Sequence, residues 1–272
     1  MAFFRLVVLL LLLQGSLNAQ QGKFGKPHQT WYSNGRLQGD GFVDSAGLLH
    51  GPWSFFYENG MKKSGGFYVH GKAEGPWFFW NESGKPQSAG WYKNDMMDST
   101  WLFFLPNGAV YRKAQYKSNQ LNGLCVDFWN DTLKKESGLY HNGIKEGTWY
   151  RWHSNGKLSE VQQYKEGKLN GDWKQYYSNG QLQSEGTIIN DKAQGKWIFY
   201  NADGKKMVVG TYRNGNWDGK WRSYHTNGKT DAAGCYKDGL KIKRWKYFSD
   251  EGKLKRKEIY RKSKLYKEVN YV

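Results

Sequence analysis

The sequence predicts an all-β fold, an elongated array of about nine to ten tandem β-hairpin repeats forming a twisted antiparallel sheet. Three observations carry this. Tryptophan recurs in steps of 24 residues, at Trp53, Trp77, Trp101, Trp149, Trp173, Trp197, Trp221 and Trp245, with Cys125 in the one slot without Trp. Glycine is abundant and proline scarce, 34 against 5 of 272 residues, which suits many tight turns and speaks against collagen and Pro-rich linkers. Aliphatic residues are few, but 14 Trp, 19 Tyr and 14 Phe supply the apolar mass that a core needs. A formal net charge of +17 with so few aliphatics would by composition alone suggest disorder. The repeat overrides that reading.

Residues 1–19 read as a signal peptide. Arg5 is the only charge before Lys23, the run Leu6–Leu13 is apolar, and Ala19 is a small residue at a plausible cleavage point. The run is too short for a membrane-spanning helix. The mature chain is therefore expected to be secreted, periplasmic or at the cell surface, with no transmembrane span. Residues 20–50 form an N-terminal segment with a degenerate first repeat, in which Trp31-Tyr32-Ser33-Asn34-Gly35 matches Phe56-Tyr57-Glu58-Asn59-Gly60. Residues 51–266 hold nine repeats of 24 residues, and 267–272 form a C-terminal tail.

Within each repeat a second aromatic follows Trp by three residues: Phe56, Trp80, Phe104, Phe128, Trp152, Tyr176, Tyr200, Tyr224 and Phe248. These and the Trp column are the candidate core. The odd spacing leaves two arrangements open, aromatics on both faces or a bulge between them. Asn-Gly pairs such as Asn59-Gly60, Asn179-Gly180 and Asn227-Gly228 then predict type I′ turns. The returning strand ends at a Tyr column that includes Tyr68, Tyr92 and Tyr212. A second turn carries Gly71, Gly143, Gly167, Gly215 or Gly239, and a further Gly restarts the next strand. One hairpin cannot bury its aromatics alone, so neighbours must stack.

The unit G-x-W-x-x-(aromatic)-x-x-x-G followed by G-x-Y-x-x-G-K-x-x-G resembles the MORN repeat, specifically its bacterial 24-residue variant. Gly171-Asp172-Trp173-Lys174-Gln175-Tyr176-Tyr177-Ser178-Asn179-Gly180-Gln181-Leu182 is a close match, and the resemblance covers about residues 27–266. It implies a hairpin array used for protein scaffolding and membrane attachment, with no catalytic residues. Bacterial chains of this kind often carry a YwqK-type antitoxin label, which a secreted chain contradicts. Choline- and glucan-binding repeats are also Trp/Tyr/Gly-rich hairpins, but the 24-residue period favours the first family.

Little chemistry stands out. Gly66 to Lys72 fits a phosphate-loop spacing, but Ala73 stands where Ser or Thr should bind magnesium and a strand, not a helix, follows. The six histidines (His28, His50, His70, His141, His153, His225) have no metal-ligand spacing and read as turn residues, so no metal, cofactor or catalytic site is expected. Cys125 and Cys235 lie too far apart in the array for a disulfide.

Two features rise above the repeat. Residues 241–272 hold 12 Lys/Arg against 4 Asp/Glu. Lys241, Lys243, Arg244, Lys253, Lys255, Arg256, Lys257, Arg261, Lys262 and Lys264 are candidate contacts to anionic lipid or lipopolysaccharide, with protection of the terminal sheet edge as the other reading. From Asp95 to Thr132 the repeat looks eroded: Asp95, Ser99, Ala114, Asn119, Cys125 and Thr132 replace Gly or Trp. Met96 and Met97 occupy a usually polar turn there and form a candidate partner site. The expected function is a non-enzymatic secreted or periplasmic repeat scaffold that binds a protein partner, with association to an anionic membrane surface. The alternative is a glycan- or cell-wall-binding module using aromatic rows. Nucleic acid is not an expected partner, and the sequence leaves open whether the sheet edges pair into an edge-to-edge homodimer.

Overall fold

A computed structural model describes residues 24–271, so the expected signal peptide lies outside the described residues. Among those residues the regular structure is entirely β, and no helix is long and apolar enough to cross a membrane. The chain divides into two compact units after Gly123. The first holds β1 (Lys26–Trp31), β2 (Leu37–Val43), β3 (Leu49–Phe56), β4 (Lys62–Val69), β5 (Lys72–Trp80), β6 (Pro86–Lys93), β7 (Met96–Phe104) and β8 (Val110–Lys117). Strand β9 (Gln120–Phe128) runs through the boundary. The second unit holds β10 (Lys134–His141), β11 (Ile144–Trp152), β12 (Leu158–Lys165), β13 (Lys168–Leu169), β14 (Gly171–Tyr176), β15 (Leu182–Ile189) and β16 (Lys192–Tyr200). It continues through β17 (Lys206–Arg213), β18 (Asn216–Tyr224), β19 (Thr230–Lys237), β20 (Leu240–Phe248), β21 (Leu254–Arg261) and β22 (Lys264–Asn270).

Within each unit, successive strands pair antiparallel in a register that repeats. Gly51 faces Tyr68 in β3–β4, Gly75 faces Tyr92 in β5–β6, and Gly195 faces Tyr212 in β16–β17.

The Asn-Gly turn is not the type that the sequence predicts. At Asn59-Gly60 only the glycine has positive φ (83°), Gly60 N–H donates to Tyr57 O at 2.8 Å, and Tyr57 N–H donates to Met61 O at 2.8 Å. This is a type I turn closed by a glycine bulge, not type I′. The asparagine is chosen for its side chain instead. Asn59 Oδ1 accepts the Met61 N–H at 2.9 Å, and its Nδ2 donates to Glu82 O in the next turn at 2.8 Å. Asn155, Asn179 and Asn227 donate to Ser178, Ala202 and Asp250 in the same way, at 2.7–2.8 Å.

The type I′ geometry sits at the second turn, where both central residues have positive φ: His70 and Gly71 (47° and 80°), Asn94 and Asp95 (50° and 66°), Asn142 and Gly143 (48° and 80°). Such turns are tied to the hairpin before them, as in Gly71 N–H to Leu49 O at 2.8 Å and Asp191 N–H to Leu169 O at 3.0 Å. This corrects the view of Asp95 and Asn119 as eroded glycines. Asp95 donates its N–H to Ala73 O and also accepts the Ala73 N–H on Oδ1 at 2.6 Å; Asn119 does the same with Met97. Glycine supplies only one of those two bonds.

Trp53, Trp77, Trp101, Trp149, Trp197 and Trp245 are buried because each of these indoles lies on a glycine of the preceding strand. A Cβ on Gly66 would stand 2.3 Å from the Trp77 ring, and one on Gly138 2.2 Å from that of Trp149. The indole N–H donates to the carbonyl just past that glycine: Trp77 to Phe67 O at 3.2 Å, Trp101 to Trp91 O at 3.0 Å, Trp245 to Cys235 O at 3.2 Å. A strand bulge opens this carbonyl, since the β4–β5 register shifts between Gly65 and Phe67. Trp173 and Trp221 are only half-buried. Gln162 occupies the glycine slot below Trp173, and the Trp217 ring crowds Gly210 below Trp221.

The second aromatic column lies on the other face in the first unit. Phe78 and Phe104 are buried with Ala89 there, flanked by Trp80 and Leu102. Phe56, Phe128, Trp152, Tyr176, Tyr200, Tyr224 and Phe248 are half-buried. Cys125 is buried, Cys235 half-buried, and neither forms a disulfide. Residues 267–270 are not a loose tail: they belong to β22, which pairs with β21.

Candidate functional site

Three surfaces carry distinctive chemistry. The first is an aromatic ladder in the first unit. Trp53, Phe55, Trp77, Phe79, Trp101 and Phe103 share a face, with successive ring centroids 5.4–6.4 Å apart and planes within 19–29°. Tyr68 and Tyr92 stand edge-on against Trp77 and Trp101, each at 5.1 Å. Burial, aided by the Asp95 charge, pushes both phenols above their ordinary pKa and keeps them as hydroxyl donors. A groove of about 530 Å³ opens on this face, lined by Phe55, Tyr68, Trp77, Phe79, Tyr92, Thr30, Gln38 and Asp95 among others. Sequence reading found the Trp column but missed the phenylalanines two residues on, because Asp127, Arg151, Gln175 and Ser223 interrupt them later.

The second surface is the same row of positions in the second unit. In the first unit that row reads Phe55, Ser64, Phe79, Ser88, Phe103 across paired strands. In the second it begins Glu136, Arg151, Glu160, Gln175. Lys145 and Arg151 bond Glu136 at 2.7 and 3.3 Å, and Arg151 reaches Glu160 at 3.1 Å. Gln162 Nε2 donates to Glu160 at 2.7 Å, and its Oε1 accepts the Tyr164 hydroxyl at 3.0 Å. Lys145 Nζ also lies 3.7 Å from the Trp149 ring centre, a cation–π contact. A groove of about 640 Å³ beside the network is lined by Trp129, Trp152, Tyr176 and Tyr177 together with these charges.

The third is a cationic face at the C-terminal end of the second unit. One cross-strand row carries Arg222, Ala233, Lys246, Lys257 and Val269. Lys196, Lys220 and Arg244 sit two residues before Ile198, Arg222 and Lys246 on their strands, and therefore on the same face. Lys196, Lys220, Arg222, Arg244 and Lys246 are all exposed, and among the described residues none of them pairs with a carboxylate. A shallow groove of about 360 Å³ runs between Lys196, Lys220 and Arg222 over Val209 and Ala233.

The expected basic C-terminal set is divided by the structure. Arg244, Lys255 and Lys257 lie on the cationic face. Lys241 is turned onto Trp245, Tyr247 and Glu258, and Arg256 stacks on Tyr247 at 4.2 Å and pairs with Glu258 at 3.2 Å. Arg261 stacks on Tyr266 at 3.7 Å. Lys243 sits on a bulge (φ 59°), Lys253 in an exposed turn, Lys262 in the last type I′ turn (φ 46°), and Lys264 opens β22. Lys196, Lys220, Arg222 and Lys246 were missed, although Lys196, Lys220 and Arg244 follow the 24-residue period. Met96 and Met97 open strand β7 rather than forming a turn. Met96 is exposed in a column that holds Leu48, Ile144 and Leu240 but is polar in most copies, as at Lys72, Gln120, Lys168, Lys192, Asn216 and Lys264.

Five copies, at residues 49–70, 145–166, 169–190, 193–214 and 217–238, match the family model described as MORN repeat variant. The chain carries MORN repeats of the variant family. Its MORN hairpins suit a repeat scaffold for protein or membrane interaction, a family role that is generally non-enzymatic. A search of curated proteins gives no match. Among solved structures, the MORN chain aligns with "Crystal Structure of TcdB2-TccC3-Cdc42" at 10% identity and TM-score 0.20, covering 86% of this chain and 17% of that one. The Photorhabdus luminescens Tc holotoxin pore carrying TccC3-D651A aligns at 12% identity and TM-score 0.17, again covering 86% and 17%. The chain spans about a sixth of those proteins, and a likeness this weak carries no argument.

Proposed function

We propose that this MORN protein is a non-enzymatic secreted or periplasmic scaffold that engages a protein partner and rests on an anionic membrane surface. The observation that carries the membrane part is the row of unpaired cations on one face of β16–β22. Fixed on paired strands, Lys196, Lys220, Arg222, Arg244 and Lys246 present charge on one face, the arrangement that an anionic surface attracts. The aromatic face of the first unit is left for the partner.

The test is sedimentation of the full chain with phosphatidylcholine vesicles, with and without phosphatidylglycerol. Binding is expected only to the anionic vesicles and is expected to fall steeply with salt. It should be lost in a Lys220→Glu/Arg222→Glu/Lys246→Glu variant that keeps its fold. Binding that ignores salt and these charges overturns the membrane reading. N-terminal sequencing of exported protein tests secretion, with Gln20 expected as the first residue. A second reading, glycan binding, is favoured by the Tyr68 and Tyr92 groove. It predicts salt-independent retention on a cell-wall glycan resin that Tyr92→Ala abolishes.

A further inference from the structure

The first unit contains a cluster of side chains that neither the repeat nor the scaffold reading uses. Asp44 follows β2, His50 lies on β3 and His70 opens the type I′ turn after β4. Each offers one ligand atom, and these atoms lie within 4.8 Å of one another. Asp44 Oδ2 is 2.7 Å from His70 Nδ1, and the two imidazole centres are 4.8 Å apart.

The backbone beneath them is fixed. Asp44 Oδ1 accepts the Ala46 and Leu48 N–H groups at 2.9 and 3.0 Å, which aims Oδ2 outward. Gly71 N–H to Leu49 O pins the His70 turn against β3.

Comparison with the other copies isolates what is special. The backbone N–H that opens the second turn is accepted by Glu74 for Asn94, by Glu146 for Glu166 and by Gln194 for Asn214, at 2.9–3.0 Å. Asp218 does so for Asp238 at 3.4 Å, and in this copy His50 Nδ1 takes that part, at 3.3 Å. An oxygen acceptor serves elsewhere; here two imidazoles and a carboxylate meet instead.

We propose that Asp44, His50 and His70 form a divalent transition-metal site with zinc as its natural probe. Two imidazoles and one carboxylate, with the remaining positions open to water, are a donor set suited to Zn²⁺. Tetrahedral bonds of about 2.0–2.2 Å place ligand atoms about 3.3–3.6 Å apart. The cluster reaches this by rotamer adjustment: Asp44 and His70 separate slightly while His50 draws in. The metal takes the place of the hydrogen between Asp44 Oδ2 and His70 Nδ1, that proton passing to His70 Nε2 or to water, and His50 gives up its bond to the turn. His70, the most exposed of the three, leaves the metal open to solvent and to a partner's ligand.

The test is titration of the tag-free full chain with Zn²⁺ by calorimetry, with Co²⁺ absorbance as a second readout of ligand type. The key variant is His50→Gln/His70→Asn, which installs the pair that Gln194 and Asn214 form in another copy and so keeps the turn. One zinc per chain is expected for the natural sequence. The double variant, with unchanged thermal stability in the absence of metal, should bind at least tenfold more weakly. No saturable binding, or equal binding by the double variant, overturns the site.

Discussion

At Gly66 a single Cβ decides whether an indole can lie on the sheet, because it would meet the Trp77 ring at 2.3 Å. A rigid ring in a strand-fixed position cannot swing clear, so Gly66→Ala is expected to cost about 1–3 kcal/mol, the usual range for overpacking. The chain supplies its own control. Eleven residues separate Gly66 from Trp77, and the same spacing separates Ala114 from Cys125. Gly66→Ala should therefore be nearly harmless in a Trp77→Cys background. A double-mutant cycle read by chemical denaturation checks this coupling; equal costs in both backgrounds count against it. The Trp period was plain in the sequence. The glycine beneath it was read only as part of the Gly66 to Lys72 spacing, because its partner lies on the neighbouring strand and only pairing reveals the fit. Gln162 shows the same rule from the other side, since a larger residue in that slot leaves Trp173 half-buried.

Turns show where element-level reading stops. Hairpins were legible from Asn-Gly and Tyr-x-x-Gly spacing, but the type I′ geometry expected at Asn-Gly sits at the other turn. Asn-Gly permits type I′, yet here Asn59 serves the next turn through its amide and only Gly60 needs positive φ. Dipeptide preference says nothing about a neighbour 23 residues away. The terminal strand adds a second case. Arg256 faces Asn270 in β21–β22, whereas its counterpart Ala232 faces Tyr247. By the repeat that partner would be residue 271, so β22 pairs one residue out of step, which moves Val269 off the Trp face.

Glu258 fills the glycine slot under that missing indole, 24 residues after Gly234. Its carboxylate accepts the Tyr247 and Tyr260 hydroxyls and meets Lys241 at 3.4 Å. Burial alone would raise its pKa; the two hydroxyl bonds and the Lys241 charge outweigh burial and hold it below the ordinary value. A depressed carboxylate stabilises the fold above its unfolded pKa and loses that contribution as pH falls through the folded one. Hydrogen exchange in β20–β22 should therefore quicken as pH drops below about 4.3. Glu258→Gln should remove most of that pH dependence once intrinsic exchange rates are divided out. An unchanged pH profile in the variant would show that other carboxylates govern this end.

Across the whole molecule, the unit of construction is 24 residues of chain, and the turn ties recur with it, as in Asn155 to Ser178, Asn179 to Ala202 and Asn227 to Asp250. Removing residues 193–216 joins Lys192 to Trp217, which stands where Ala193 stood. That variant is expected to melt cooperatively with near-native circular dichroism. Removing only 193–204 destroys register, and it should melt broadly or fail to fold. If both deletions behave alike, the copies are not interchangeable. The repeat and its family were legible from sequence because they are periodic. The surfaces were less so: the aromatic ladder, the charged network around Arg151 and the cationic row are read along strand pairings, perpendicular to the chain.

The asparagine ladder also governs how this protein ages. Asn-Gly is the dipeptide most prone to lose ammonia, through attack of the glycine nitrogen on the asparagine amide. Here both reacting ends are engaged: Gly180 N–H is bonded to Tyr177 O at 2.8 Å, and Asn179 Nδ2 to Ala202 O at 2.8 Å. Gly156 with Asn155 and Gly228 with Asn227 repeat the arrangement. A folded copy is thus shielded from deamidation, and a gain of one mass unit at any of these sites records that its turn has come open.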